Sequence, residues 1–173
     1  TNKTLDLPKN VISSGINSIS QLNTIKKFFK LNEIKKTIFL IPNLNYDLEV
    51  QNGIKKSKIK FFKEYYYDID PTKLTKQIEK ITNYKIRKQN LFDEITRIEK
   101  SEENNKDQKV ENLKKRYTLG NLNFDSIVMA DFDESLKSVI TSLLYTDVSP
   151  KDKYFITFNQ LFDESLLREP SSQ

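Results

Sequence analysis

Several amides, phenols and one carboxylate fall where they could hold a polar molecule. Asn43, Asn45 and Tyr46 follow the apolar run Thr37–Ile41, and Tyr67 and Asp68 close the run Ile59–Tyr67. Asp131 follows Phe124–Ala130, and Asn159 follows Tyr154–Phe158. Each run reads as a strand, so each polar group lies just past a strand's carboxyl end. In open α/β sheets that edge is where ligands bind. Ser13 and Ser14, in the leading segment Asn10–Ile16, join the candidate ligand set. Uncharged amides, phenols and a carboxylate suit the binding of a small polar ligand better than covalent chemistry. The same residue types cap ordinary loops, so the set carries that plainer reading beside the ligand cleft.

Composition removes several other chemistries. The chain has no histidine and no cysteine. A histidine-dependent triad, a zinc hydrolase, a thiol nucleophile and a disulfide are therefore excluded within it. Its three glycines, Gly15, Gly53 and Gly120, are too scattered for a phosphate-cradling loop. One stretch does invite a reaction: Val128-Met129-Ala130-Asp131-Phe132-Asp133-Glu134-Ser135-Leu136. It resembles the first motif of the haloacid-dehalogenase-like phosphatases, an apolar strand running into Asp-x-Asp-Gly-Thr/Ser-Leu. The resemblance implies a nucleophilic Asp131 and an acid–base Asp133 beside Mg²⁺. Glu134, however, stands where that family has its turn glycine. The short remaining chain also lacks the downstream lysine in context and the metal-holding aspartate pair. The expectation is a non-enzymatic protein with no catalytic residue, no metal site and no cofactor.

Charge points to no nucleic-acid partner. There are 29 basic and 24 acidic residues, a net charge of +5 and a pI near 9.1. Both signs are spread along the chain, and heavy use of Lys, Asn and Ile follows A/T-rich codons, so the excess forms no basic patch. Glu99–Glu111 alternates sign with Lys100, Lys106 and Lys109, which reads as a solvated helix face and reversal. No apolar run approaches the ~18 residues of a membrane span. The start, Thr-Asn-Lys-Thr-Leu-Asp-Leu-Pro, has no signal-peptide pattern. The missing initiator Met and the end at Glu-Pro-Ser-Ser-Gln read as a fragment whose address label lies elsewhere.

The elements that must position the polar groups follow from periodicity. Thr37–Ile41 is apolar, β-branched and closed by Pro42, as a strand buried on both faces reads. Asp47–Ser57 has a helical rhythm, and Ile59–Tyr67 returns to strand character; strand, helix, strand is a βαβ unit. In Tyr65-Tyr66-Tyr67 the faces alternate, which places one or two rings in the core. Before this unit, Asn10–Ile16 reads as extended, and Ser18 caps a helix to Leu31 whose stripe is Ile19, Leu22, Ile25, Phe28 and Phe29. After it, Asp70-Pro71 starts a helix carrying Leu74, Ile78 and Ile81. Helix from Leu74 to Ile98 would span ~36 Å, too long to lie across a small sheet. Residues 85–121 therefore read as a helical hairpin inserted in the domain, reversing at Ser101–Gln108, with Val110, Leu113 and Tyr117 on its second arm. Facing apolar stripes would stabilise such a spur; the other reading is a partner-docking arm. Phe124–Ala130 and Tyr154–Phe158 are the remaining strands. Between them Asp133 or Ser135 caps a helix Leu136–Tyr145, and a short turn of helix lies near Leu161–Leu167. The expected fold is one α/β domain with an open, mostly parallel sheet of four or five strands and helices on both faces.

The order of these pieces is similar to the second lobe of the type 1 periplasmic-binding fold. There an apolar strand ends in Pro or Asp and leads to Tyr-Gly; here the residues are Pro42-Asn43-Leu44-Asn45-Tyr46, with Asp47 in place of the Gly. Phe124-Asp-Ser-Ile-Val-Met-Ala-Asp131, Leu136–Pro150 and Leu161–Pro170 resemble a narrower branch, the penicillin-binding-protein activators. These are lipoproteins related to ABC transporter substrate-binding receptors. The resemblance spans the chain outside 85–121. It implies a periplasmic protein, anchored to a membrane through an N-terminal lipid outside this chain, that regulates peptidoglycan synthesis by contact with a penicillin-binding protein. Within the same fold, the alternative is a receptor for an amino acid or small amide.

Overall fold

The computed structural model describes residues 18–43, 47–131 and 133–157, with backbone alone at 47–50 and Asp133. The leading extended segment, the helix near Leu161–Leu167, and Ser13, Ser14, Asn45, Tyr46 and Asn159 lie outside the described residues. In chain order the elements are α1 (Ser18–Leu31), β1 (Thr37–Pro42), α2 (Asp47–Ser57), β2 (Lys63–Tyr67), α3 (Pro71–Ile81), α4 (Tyr84–Glu99), α5 (Lys106–Lys114), β3 (Ser126–Met129), α6 (Asp133–Tyr145) and β4 (Tyr154–Thr157). Among the described residues the four strands form one sheet in the order β2-β1-β3-β4. All its pairings are parallel, with Pro42 beside Tyr67, Leu40 beside Met129 and Met129 beside Thr157.

The apolar runs form strands because they are covered on both faces. Every residue of β1 and of β3 is buried. Side chains of a strand alternate sides, and the core divides accordingly. Ile38, Leu40, Ile127 and Met129 meet Leu74, Ile78, Val139 and Leu143 from α3 and α6. Phe39, Ile41, Val128 and Ala130 meet Leu22 and Ile25 of α1 on the other face. Each fully buried Leu, Ile or Phe contributes about 1.5–3 kcal/mol relative to exposure.

One rule of handedness explains which helices go where. Parallel crossovers are right-handed. The step from β1 to β2 runs one way along the sheet, while those from β2 to β3 and from β3 to β4 run the other. Crossovers of one hand then lie on opposite faces, α2 beside α1 and α3 beside α6. The reversal falls between β1 and β3, which makes their carboxyl ends the topological switch point. α1 and α2 approach closely because Gly53 has no side chain. A Cβ there would lie 3.1 Å from Leu22 Cδ1 and 3.3 Å from Ser18 Cβ.

Local signals set the boundaries. Asp70 accepts hydrogen bonds from the N–H groups of Thr72 and Lys73, both at 3.0 Å, and Pro71 occupies the first helical position. That helix stops at Thr82, and Asn83 takes a left-handed conformation (φ 51°) before α4 begins. α5 follows a second left-handed residue, Asn105 (φ 61°). Leu91 and Ile98 of α4 and Val110 of α5 are buried. Arg97 and Glu103, Lys109 and Glu103, and Lys114 and Glu99 form exposed ion pairs around these two helices, each worth only about 0–1 kcal/mol.

Four expectations need correction. The second strand begins at Lys63, not Ile59; Ile59 and Phe61 instead pack on the α1 face as they lead in. α6 begins at Asp133, a turn earlier than Leu136, so Ser135 lies within it. Tyr117 is 77% exposed and beyond the end of α5, because that helix stops at Lys114 with Lys115 as its cap. Phe28 and Phe29 are half-buried, their rings meeting Tyr154 and Phe61 edge-on at the sheet's margins. Among the described residues, no helix is long and apolar enough to cross a membrane.

Candidate functional site

Tyr67 and Asp131 meet across the carboxyl end of β1. Tyr67 is the last residue of β2, and Asp131 lies just beyond β3. β1 separates them, so their backbones are two strand spacings apart, about 10 Å. A phenol and a carboxylate extended toward each other span that distance. The Tyr67 hydroxyl donates to Asp131 Oδ2. Ser135 Oγ, from the first turn of α6, donates to the same oxygen at 2.6 Å. Tyr67 is fully buried and Asp131 only 2% exposed. A carboxylate removed from water needs such donors, and its place at the start of α6 adds the favourable end of the helix dipole. Tyr67 faces the α3 and α6 core with half-buried Tyr65. Tyr66 points to the opposite face, where its hydroxyl accepts from Gln51 Nε2 at 3.2 Å.

The other described candidates have plainer roles. Asn43 is exposed, and its backbone N–H donates to the Tyr67 carbonyl at 2.9 Å. Asp68 caps a loop: it accepts from the Asp70 N–H at 3.0 Å and from Lys73 Nζ at 2.9 Å. Those two bonds, the backbone one first, hold its carboxyl below the usual range, and the hydrogen bond to Asp68 in turn raises Lys73. Of the predicted set, the structure thus joins Tyr67 to Asp131 and leaves Asn43 exposed on a neighbouring strand end. What the joined pair does is tie the carboxyl ends of β2 and β3 together across β1. Its acceptor Oδ2 is already occupied by two of the chain's own hydroxyls.

At the opposite edge of the sheet is a polar node that sequence reasoning missed. Arg87 of α4 is 6% exposed. Its guanidinium donates to the carbonyls of Thr146 (3.1 Å) and Asp147 (3.2 Å) and to Thr118 Oγ1 (2.6 Å). The Asp147 carboxylate lies 3.7 Å away and accepts from the Thr118 hydroxyl at 2.5 Å. Burial lowers the Arg87 pKa, partly offset by Asp147. A cation at the carbonyl end of α6 is favourable, so Arg87 ties α4 to that helix. The Leu119 N–H closes the loop by donating to the Arg87 carbonyl at 2.9 Å. A signal was present in the sequence. Arg87 stands four residues before Leu91 and eleven before Ile98, in register with the buried stripe.

No protein-family model matches the chain, and no curated protein matches it significantly. Among solved structures, an uncharacterized protein from Actinobacillus succinogenes aligns over 89% of this chain and 47% of that one. The identity is 14% and the TM-score 0.44. This chain spans about half the length of that neighbour, and a likeness at this level carries no argument. The architecture rests on the chain's own geometry: among the described residues, an α/β unit on an all-parallel four-stranded sheet.

Proposed function

We propose that this chain is a non-catalytic, periplasmic-binding-like lobe that regulates peptidoglycan synthesis by contact with a penicillin-binding protein. It would act in the periplasm, held at a membrane by a lipid anchor outside this chain. The supporting observation is the state of the switch point. Asp131, the buried carboxylate at the ligand edge, is bonded by the chain's own Tyr67 and Ser135. A switch point whose carboxyl is bonded internally supports a scaffold role, with contact with another protein carrying the function. The test is direct binding between the purified full-length protein and the peptidoglycan synthases of its own cell. Failure to bind any of them would end this reading.

The second reading is a solute-binding lobe of an ABC transporter receptor for an amino acid or small amide. It is favoured by the same pair's position, since a ligand's amine could displace one hydroxyl from Asp131. A bound ligand stabilises by RT ln(1 + [L]/Kd), about 2.7 kcal/mol at a hundredfold excess over Kd. A panel of amino acids in a thermal-shift assay of the full two-lobed protein separates the two readings. A shift abolished by Asp131→Asn supports the receptor, and no shift with any of them rejects it.

A further inference from the structure

A cleft of about 550 Å³ opens at the amino-end edge of the sheet, lined by the chain entering β3, the loop leaving α6 and the base of α4. We infer that this cleft binds a phosphate group, either the free ion or a phosphomonoester on a larger molecule. The inference is independent of the function proposed for the carboxyl edge. Its inner wall holds Arg87, whose charge faces a single carboxylate at 3.7 Å, and that carboxylate also serves Thr118. Arg87 Nε is buried with no hydrogen-bond partner among the described residues. Arg87 therefore brings a fixed positive charge to the back of the cleft, held there by Asp147 and by the Thr146 and Asp147 carbonyls.

Two further cations line the cleft, Arg116 and Lys153. Among the described residues neither forms an ion pair; Lys153 Nζ lies 6.0 Å from the centre of the Phe124 ring. Ser149, on the same lining, accepts the Lys151 N–H at 3.2 Å, which leaves its hydroxyl hydrogen to point at a ligand. Guanidinium, ammonium and hydroxyl donors beside the fixed Arg87 form the donor set a phosphate takes. Against them stands Asp152, also on the lining and in no ion pair with a described residue. Its charge weakens the site, which gives the inference a signed control.

The experiment is calorimetric titration of the 173-residue chain with inorganic phosphate and with phosphoserine, sodium chloride holding ionic strength constant. Arg116→Gln and Lys153→Gln should each weaken binding by about tenfold or more, the worth of a hydrogen bond to a charged group. Asp152→Asn should tighten it. Arg116 and Asp152 are exposed, so melting without phosphate should match wild type for their two variants; half-buried Lys153 lies over the Phe124 ring, so its variant is read by binding measured well below its own melting point. Phosphoserine binding more tightly than phosphate assigns the site to a phosphorylated molecule, and the reverse assigns it to the free ion. No binding of either, or binding unchanged in both cation variants, overturns the inference.

Discussion

Replacing Tyr67 with Phe removes one oxygen from the switch point and leaves the ring. Both partners are buried, Tyr67 fully and Asp131 to within 2% of complete exclusion. A hydrogen bond to a charged group contributes about 1.5–3 kcal/mol. Ser135 Oγ remains on Asp131 Oδ2 at 2.6 Å, so the carboxylate is not orphaned and the loss should lie near the lower end. The expected cost is about 2 kcal/mol, a large share of the roughly 5–15 kcal/mol that stabilises a domain. For a chain of this length that lowers Tm by about 4–8 °C. Urea unfolding should show a lower midpoint with an unchanged slope, because the surface exposed on unfolding is the same. A cycle with Asp131→Asn isolates the contact, with a coupling of about 1–2 kcal/mol. A single-variant loss below about 0.5 kcal/mol, the size of an ordinary surface change, would refute a closed pair at the sheet's carboxyl edge. So would strict additivity with Asp131→Asn.

Three other outcomes follow from the same geometry. Arg87→Met keeps the packing stem but removes the donors that hold Thr118 and the Thr146 and Asp147 carbonyls. The cost should be about 1–3 kcal/mol, as for buried acceptors left unsatisfied, because the Asp147 side chain is 34% exposed and keeps its bond from Thr118, and amide exchange should quicken in α4 and α5 before β1. Gly120 has φ +124°, a conformation side chains rarely adopt, so Gly120→Ala should lower stability by about 1–3 kcal/mol in urea unfolding. Hydrogen bonds from Arg97 to Glu94, and from Lys109 and Arg97 to Glu103, hold both carboxyls below their ordinary value of 4.5. A carboxyl depressed on folding adds stability that is complete above its unfolded pKa and lost as pH falls through the folded one. Acid titration of helicity should therefore show loss beginning near pH 4.5, and Arg97→Met should flatten that limb.

Much of the fold was legible because local chemistry and tertiary demand agree. Thr37–Pro42 and Ser126–Met129 are continuous apolar runs, and only a strand covered on both faces has use for one. Asp70-Pro71 carries its helix start in two residues, whatever surrounds it. The end of β2 was legible and its beginning was not: Ile59 and Phe61 are apolar enough for a strand, yet they pack on one face while the ladder begins at Lys63. The polar surface of α4 and α5 is ordinary in sequence, since exposed alternating charge needs no partner to be stable.

Residue types and strand ends alone determined that Tyr67 and Asp131 lie at one edge of a parallel sheet. Only the tertiary structure decided that they touch. Sixty-four residues separate them, and their meeting depends on β3 adding to the far side of β1, a choice made by crossover direction and not by any local signal. Arg87 is the clearer case. In sequence it is one cation among 29 basic residues. Folding places it against the carbonyl end of α6, where burial would penalise it unless those carbonyls and Asp147 received its charge. Strand and helix periods reveal which side a residue faces; the strand order and the helix ends it meets decide what it bonds.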